Sequence, residues 1–306
     1  MLRKTFLDPE LEARFQKDGY VIVPFLSEEE VVRLKQAFFD LLPMSGGNIL
    51  AGETGVDLDE ITYDFTFIDK NPDFKRKVFK IIADHFQPHA DRLLNQYRPI
   101  IANYIRKKET GGEVPLHQNW AFVDETQATS VSIWCPLVDS NEENGTLQLV
   151  PGSHKRYGQH RGPMVPWELE GIKKEIIDKY LVPANIKAGQ AVVLDDSIVH
   201  YSAINKTQRL RLAIQLIMLP EKMPSIHYHL DHQQSTDQIQ VLEVDHDFYM
   251  EFNPWKKPEK VKRVGTVPFT PRQLTEKEFA NQLFRQRFDE RPPKRGMLNR
   301  LKALFN

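Results

Sequence analysis

Two histidines far apart in the chain, His117 and His200, each stand two positions before a second polar residue, Asn119 and Ser202. On a strand, side chains at i and i+2 point to the same face. His117 and Asn119 would therefore converge on one point, and His200 and Ser202 on another. A third segment, Arg209–Leu216, alternates strictly. Leu210, Leu212, Ile214 and Leu216 form one aliphatic face, and Arg209, Arg211, Ala213 and Gln215 form the other. An arginine turned into a β-barrel needs an anionic partner, because an unpaired buried charge is expensive. The planar guanidinium matches a carboxylate through two parallel hydrogen bonds. The chemistry these residues could support is a metal corner with a carboxylate anchor beside it. Strand parity alone does not separate Arg209 from Arg211.

The elements that must position these residues are mainly short β segments. From Pro99 onward, 100–106, 114–123, 130–137, 146–150, 191–194 and 209–219 are rich in β-branched and aromatic residues with turn residues between them. Such a series predicts a sandwich or barrel. A helical insertion is expected over 167–180, and two further strands over 225–230 and 238–244. The opening reads helix, strand, helix, with Ser27 and Glu30 spaced as a capping box before a helical run of Val31, Leu34, Ala37, Phe38 and Leu41. A second helical region, 74–95, is expected to break or kink at Pro88. The glycine-rich stretch 46–55 reads as a lid-like loop. The stretch from 256 to 271 reads as an extended linker, followed by a helix over 275–289 with its own Thr275/Glu278 capping box and a short basic helix over 297–305.

Composition narrows the class. The 306 residues are 41% apolar and 27% charged, a globular mixture. No apolar run approaches the ~20 residues of a membrane helix, and no secretory leader is apparent. A single cysteine, Cys135, and no leader make a cytoplasmic location the expectation. The net charge of −1 argues against nucleic acid as a partner. It hides a split, since 256–306 carries fourteen Lys and Arg against five Asp and Glu, above an acidic body. The basic extension is expected to pack on that body, or to meet an anionic surface or a protein partner. The organisation expected is therefore a domain over 1–255 and an extension over 256–306.

Four landmarks, in order, resemble the phytanoyl-CoA dioxygenase family of iron(II)- and 2-oxoglutarate-dependent oxygenases. They are Phe15 through Val23 followed by Ser27-Glu28-Glu29-Glu30; Leu116-His117-Gln118-Asn119-Trp120; Asn144-Gly145-Thr146-Leu147 through Pro151-Gly152-Ser153-His154-Lys155; and His200-Tyr201-Ser202 with Asn205-Lys206-Thr207 and Arg211. The resemblance implies a double-stranded β-helix, a cupin-like jelly roll, with flanking helices. It implies Fe(II) and 2-oxoglutarate as cofactors, and O₂ and a small-molecule or lipid-like compound as substrates. The reaction implied is oxidation of that compound, usually hydroxylation, with release of succinate and CO₂. His117 and His200 would be metal ligands. Arg211, eleven residues after His200, would hold the distal carboxylate of 2-oxoglutarate, with Ser202 assisting and Trp134 lining the pocket.

The departure is Asn119, where the family carries Asp. Asn119 is a neutral amide ligand, or Asp124 or Glu125 supplies the carboxylate, or the site is impaired and the fold serves binding or regulation. The remaining candidates favour structural roles. His227, His229 and His232 read as a polar strand face with a weak metal signal. His154 belongs to a turn. His85 and His89 are separated by Pro88. Asp195 and Asp196 read as loop residues that could support His200. Cys135 reads as buried filler, and Tyr63, Phe65, Phe67, Tyr104, Trp120 and Phe122 mostly as core.

Overall fold

A computed structural model describes residues 4–49, 63–233, 236–254 and 256–290. The chain opens with α1 (Pro9–Asp18), capped by the Asp8 carboxylate and stopped at Gly19 in the left-handed conformation. The strand β1 (Tyr20–Pro24) and α2 (Glu28–Leu41) follow, and both halves of the Ser27/Glu30 capping box are formed. The second helical region is α3 (Pro72–Leu93), shifted two residues toward the N-terminus and continuous through Pro88. The expected break is thus corrected. The proline removes one backbone donor, while Phe74, Val78, Ile82, Phe86 and Ala90 on the same helix stay seated in the main core.

Six strands form the larger antiparallel sheet. They are β1, β2 (Tyr63–Phe65), β3 (Tyr97–Lys107), β5 (Val131–Pro136), β8 (Gln190–Asp195) and β10 (Arg211–Pro220), ordered β1-β8-β5-β10-β3-β2. A smaller sheet runs β4 (Val114–His117), β9 (His200–Ser202), β6 (Leu147–Leu149) and β7 (Val182–Pro183). The two-residue side-chain period divides the larger sheet's contacts. Ile133, Val193, Leu212, Ile214 and Leu216 pack against the flanking helices, while Trp134, Val192, Leu194 and Ala213 pack against Leu147 and Leu149 of the smaller sheet. This is the jelly-roll arrangement of two facing antiparallel sheets with helices outside. The helical insertion is present as a short turn and α4 (Lys173–Lys179).

The linker reading of 256–271 is corrected. Strand β13 (Lys262–Pro268) pairs with β12 (Gln238–Glu243), which pairs with β11 (Ile226–His229), giving a third sheet. After α5 (His246–Glu251), the last described helix is α6 (Glu276–Leu283), shorter than expected but capped by Thr275 and Glu278 as read. Phe279 is fully buried against Tyr157. Expectations for 50–55 of the glycine-rich loop and for the helix over 297–305 fall outside the described residues. Among the described residues no helix is long and apolar enough to cross a membrane.

The C-terminal segment is anchored by ion pairs and a histidine. Arg287 donates from Nη1 to the Gln16 carbonyl (2.5 Å) and to His154 Nε2 (2.8 Å), and Asp289 pairs with buried Lys155 at 3.3 Å. A guanidinium only donates, so His154 must be neutral here. Burial holds its pKa down at about 4. Between that value and the ordinary 6.5 the unfolded chain binds the proton and the folded one does not, so stability rises with pH across this window. The contribution is complete above pH 6.5 and fades as the pH falls toward 4, by about 3 kcal/mol at most. Melting temperature against pH will show this loss in the wild type, and His154→Phe will flatten it. An equal slope in both proteins would place the acid sensitivity elsewhere.

Candidate active site at the barrel mouth

His117 ends β4 and His200 begins β9, and the two residues are direct cross-strand partners. Their ring centroids lie 4.1 Å apart. Each ring is oriented by a backbone carbonyl, with His117 Nδ1 on the Pro115 oxygen at 2.7 Å and His200 Nδ1 on the Ile198 oxygen at 2.9 Å. A carbonyl only accepts, so both Nδ1 atoms carry the proton and both Nε2 atoms present a lone pair. Burial pushes both pKa values below 6.5, and in His200 the neighbouring His117 adds to the effect. Two neutral imidazoles with converging lone pairs can share one metal ion.

Asn119 is not on the strand, because β4 ends at His117. The loop that carries it is fixed by side chains. Gln118 Nε2 donates to the Tyr157 and Ser197 carbonyls (3.1 and 2.6 Å), and Arg161 Nε donates to the Asn119 carbonyl (2.7 Å). The Asn119 amide nitrogen donates to Ser132 Oγ (3.1 Å) and Asp196 Oδ1 (2.8 Å). Asn119 lines the same cavity as the two histidines.

The carboxylates weighed at the sequence level are engaged elsewhere. Asp124 caps its own turn through Thr126 and Gln127, and Glu125 forms a buried two-point pair with Arg161 at 2.7 and 2.8 Å. Among the described residues no cluster of three His, Cys, Asp or Glu could hold a metal. This leaves His227, His229 and His232 without a metal-binding geometry. His227 is packed among Trp120, Phe248 and Phe252. His85 bonds its own helix and His89 bonds Glu30. Cys135 is buried, and desolvation raises its thiol pKa.

Exposure separates the two arginines that share strand parity. Arg209 is exposed in the turn before β10, while Arg211 is 1% exposed. Nε and Nη1 of Arg211 are buried with no hydrogen-bond partner, and its guanidinium lies 5.6 Å from the Trp134 ring centre. Burial lowers its pKa to about 9. An unpaired guanidinium in this setting is costly to bury unless an anion meets it. Ser202 is close by, but its hydroxyl donates to the Gly145 carbonyl at 2.8 Å. To donate to a ligand it would have to rotate away from that oxygen. A buried amine missed in the sequence is that of Lys107, the cross-strand partner of Arg211. Its Nζ bonds the Gly145, Ser202 and Ala203 carbonyls, and burial lowers its pKa to about 6.

His117, Asn119, His200, Trp134, Ser202 and Arg211 all line one cavity of about 750 Å³. Of the six aromatics expected mostly to be core, Tyr104 is buried in the main core and bonds Leu34, Phe122 is buried in a second cluster with Phe67 and Trp120 packed against it, and all but Tyr104 also line this cavity. The register of β2 on β3 brings Tyr63 and Phe65 to the opening. Phe269 and Phe288, from the C-terminal region, complete the wall.

Known proteins are similar to this chain in sequence and in fold. The family model "Phytanoyl-CoA dioxygenase (PhyH)" matches residues 15–213. The phytanoyl-CoA dioxygenase domain-containing protein 1 of Danio rerio is 33% identical over 128 residues, 39% of this chain and 44% of that protein. Phytanoyl-CoA dioxygenase of Arabidopsis thaliana is 28% identical over 171 residues, 52% and 53% of the two chains. The chain thus spans about half the length of these curated relatives. The crystal structure of the epimerase SnoN in complex with Fe3+, alpha ketoglutarate and nogalamycin RO superimposes with a TM-score of 0.55 at 19% identity, covering 86% of this chain and 95% of that one. The carbocyclase SnoK gives 0.52 at 20% identity, covering 72% and 86%. At such identities the likeness establishes the fold. With the landmarks in register and the matched region running from α1 into β10, this chain belongs to the phytanoyl-CoA dioxygenase family.

Proposed function

We propose that this chain is an iron(II)- and 2-oxoglutarate-dependent oxygenase acting on a small molecule with an apolar or aromatic face. His117, His200 and Asn119 would hold the metal. Arg211, beside the Trp134 ring, would hold the distal carboxylate of 2-oxoglutarate, with Ser202 assisting. The observation that carries this reading is one cavity containing two carbonyl-oriented imidazoles and a buried guanidinium with unused donors. When bound, iron and 2-oxoglutarate supply the oxidising power toward O₂.

The chain's own part is positioning and exclusion of water. The Pro115 and Ile198 carbonyls fix the imidazole tautomers, so no proton has to leave either ring before a cation binds. The Trp134 ring centre lies 5.6 Å from the guanidinium, and burial limits the arginine side chain's freedom before a carboxylate arrives. The aromatic wall of Phe65, Phe67, Trp120 and Phe122 offers a dry surface to the substrate.

Anaerobic titration with Fe(II) and 2-oxoglutarate tests the proposal. The wild type is expected to develop the weak metal-to-ligand charge-transfer absorption, and His200→Ala is expected to lose it. The neutral Asn119 favours a second reading, a binding or regulatory homologue. Absence of the band in the wild type would support that reading and overturn the first.

A further inference from the structure

Five lysine and arginine side chains line the cavity. Three of them carry a carboxylate partner. Arg161 pairs with Glu125 at 2.7 Å, Lys173 with Glu170 at 2.7 Å, and Arg272 with Glu278 at 3.1 Å. Arg211 and Arg156 carry none among the described residues, and each has a buried guanidinium nitrogen without a hydrogen-bond partner. Arg156 Nε donates to the Gly152 carbonyl at 2.7 Å, which leaves both Nη atoms without a protein acceptor. The two carboxylates close enough to act on this guanidinium are taken. Asp289 pairs with Lys155 and Arg287, and Glu290 pairs with Arg287. With His154 neutral, the group holds three cations against two anions, and Arg156 is the one left over. Gln282 and Phe288, beyond the family match that ends at 213, line the same cavity. Gln282 Nε2 donates to the Arg156 carbonyl (2.5 Å) and the Phe288 N–H to the Lys155 carbonyl (2.8 Å), so this part of the wall is fastened next to the arginine.

We propose that Arg156 binds the substrate, and that the substrate is an anion with an apolar or aromatic body and a carboxylate or phosphate group. The two unpaired arginines then serve two different anions, Arg211 the 2-oxoglutarate and Arg156 the compound to be oxidised. The aromatic wall takes the body. The Nη atoms of Arg156 take the oxyanion through charge-assisted hydrogen bonds, for which the planar guanidinium is shaped. A neutral analogue of the same size is rejected, because its entry would cover the arginine and leave it unpaired. The assignment rests on reading this cavity as the substrate's and adds the charge that the substrate must carry.

Two dyes that share one aromatic body test the assignment by fluorescence titration. 8-Anilinonaphthalene-1-sulfonate carries an oxyanion, and N-phenyl-1-naphthylamine carries none. The chain is first saturated with Mn(II) and 2-oxoglutarate, so that Arg211 is occupied. Arg156→Met is expected to weaken the sulfonate by at least about tenfold and the neutral dye by less than about twofold. Should Arg156→Met fail to fold, Arg156→Gln keeps a donor for the Gly152 carbonyl and carries the same comparison. Displacement of the bound sulfonate by decanoate alone assigns a carboxylate, and by decyl phosphate alone a phosphate. Displacement by 1-decanol as effective as by either anion overturns the proposal. Unchanged sulfonate affinity in the variants overturns it, and equal losses for the two dyes make Arg156 structural and overturn it as well. A wild-type chain that takes up neither Mn(II) nor 2-oxoglutarate, yet shows the Arg156-dependent difference between the dyes, overturns the oxygenase reading and leaves the anion site standing.

Discussion

Arg211→Met will lose 2-oxoglutarate binding by a factor of about 100 or more, and the same variant will be more stable than the wild type without ligand. The first effect follows from deleting two charge-assisted hydrogen bonds, each contributing roughly 1.5–3 kcal/mol. The second follows from burial, since the guanidinium is 1% exposed and two of its nitrogens have no partner. Replacing a buried charge by an apolar chain of similar volume is often stabilising by about 1–4 kcal/mol. The loss of the cation–π contact with Trp134 returns at most ~2 kcal/mol. Isothermal titration with 2-oxoglutarate and a thermal melt of ligand-free protein read the two effects separately. Undiminished affinity would move the anchor to Lys107. A lower melting temperature would mean that the arginine is structural.

Glu125→Leu gives the second large effect, and it falls on stability. The carboxylate and Arg161 form a fully buried two-point pair. Removing one partner strands the other charge, with a typical loss of about 3–5 kcal/mol. Arg161 also bonds the Asn119 and Gly158 carbonyls, so Glu125→Leu with Arg161→Met should recover only part of that loss. Mn(II) affinity of the folded single variant should change less than tenfold, because Glu125 points at Arg161 and away from the cavity. If metal binding vanished while stability held, Glu125 would be the ligand that Asn119 appeared to replace. Denaturant titration and calorimetry on the same preparation decide between the two.

Much of the frame was legible because it depends on local periodicity. The strict alternation from Leu210 to Leu216 identified which residues of β10 meet the helices and which meet the cavity. The Ser27 and Thr275 capping boxes marked two helix starts by side-chain chemistry alone. The weaker predictions involved residues whose state is fixed by distant neighbours. Arg209 and Arg211 share parity, and the start of the β3 pairing at Arg211 buries one and leaves the other outside. Which of the aromatics also line the cavity was not legible, because a ring facing an enclosed pocket has the same composition signal as a ring facing another ring. Strand β13 was hidden among Pro and Lys, because a strand paired on one edge of a small exposed sheet needs little apolar content.

The amino-acid sequence by itself determined the two-histidine corner, the arginine strand and the order of the motifs, since residue spacing on a pleated strand dictates which side chains can share a face. Only the tertiary structure decided where Asn119 sits after its strand has ended, with Ser132 and Asp196 accepting from its amide nitrogen. The reason is physical. Those placements are made by side-chain hydrogen bonds from Gln118, Ser132 and Arg161 to partners far along the chain, and no local periodicity encodes them.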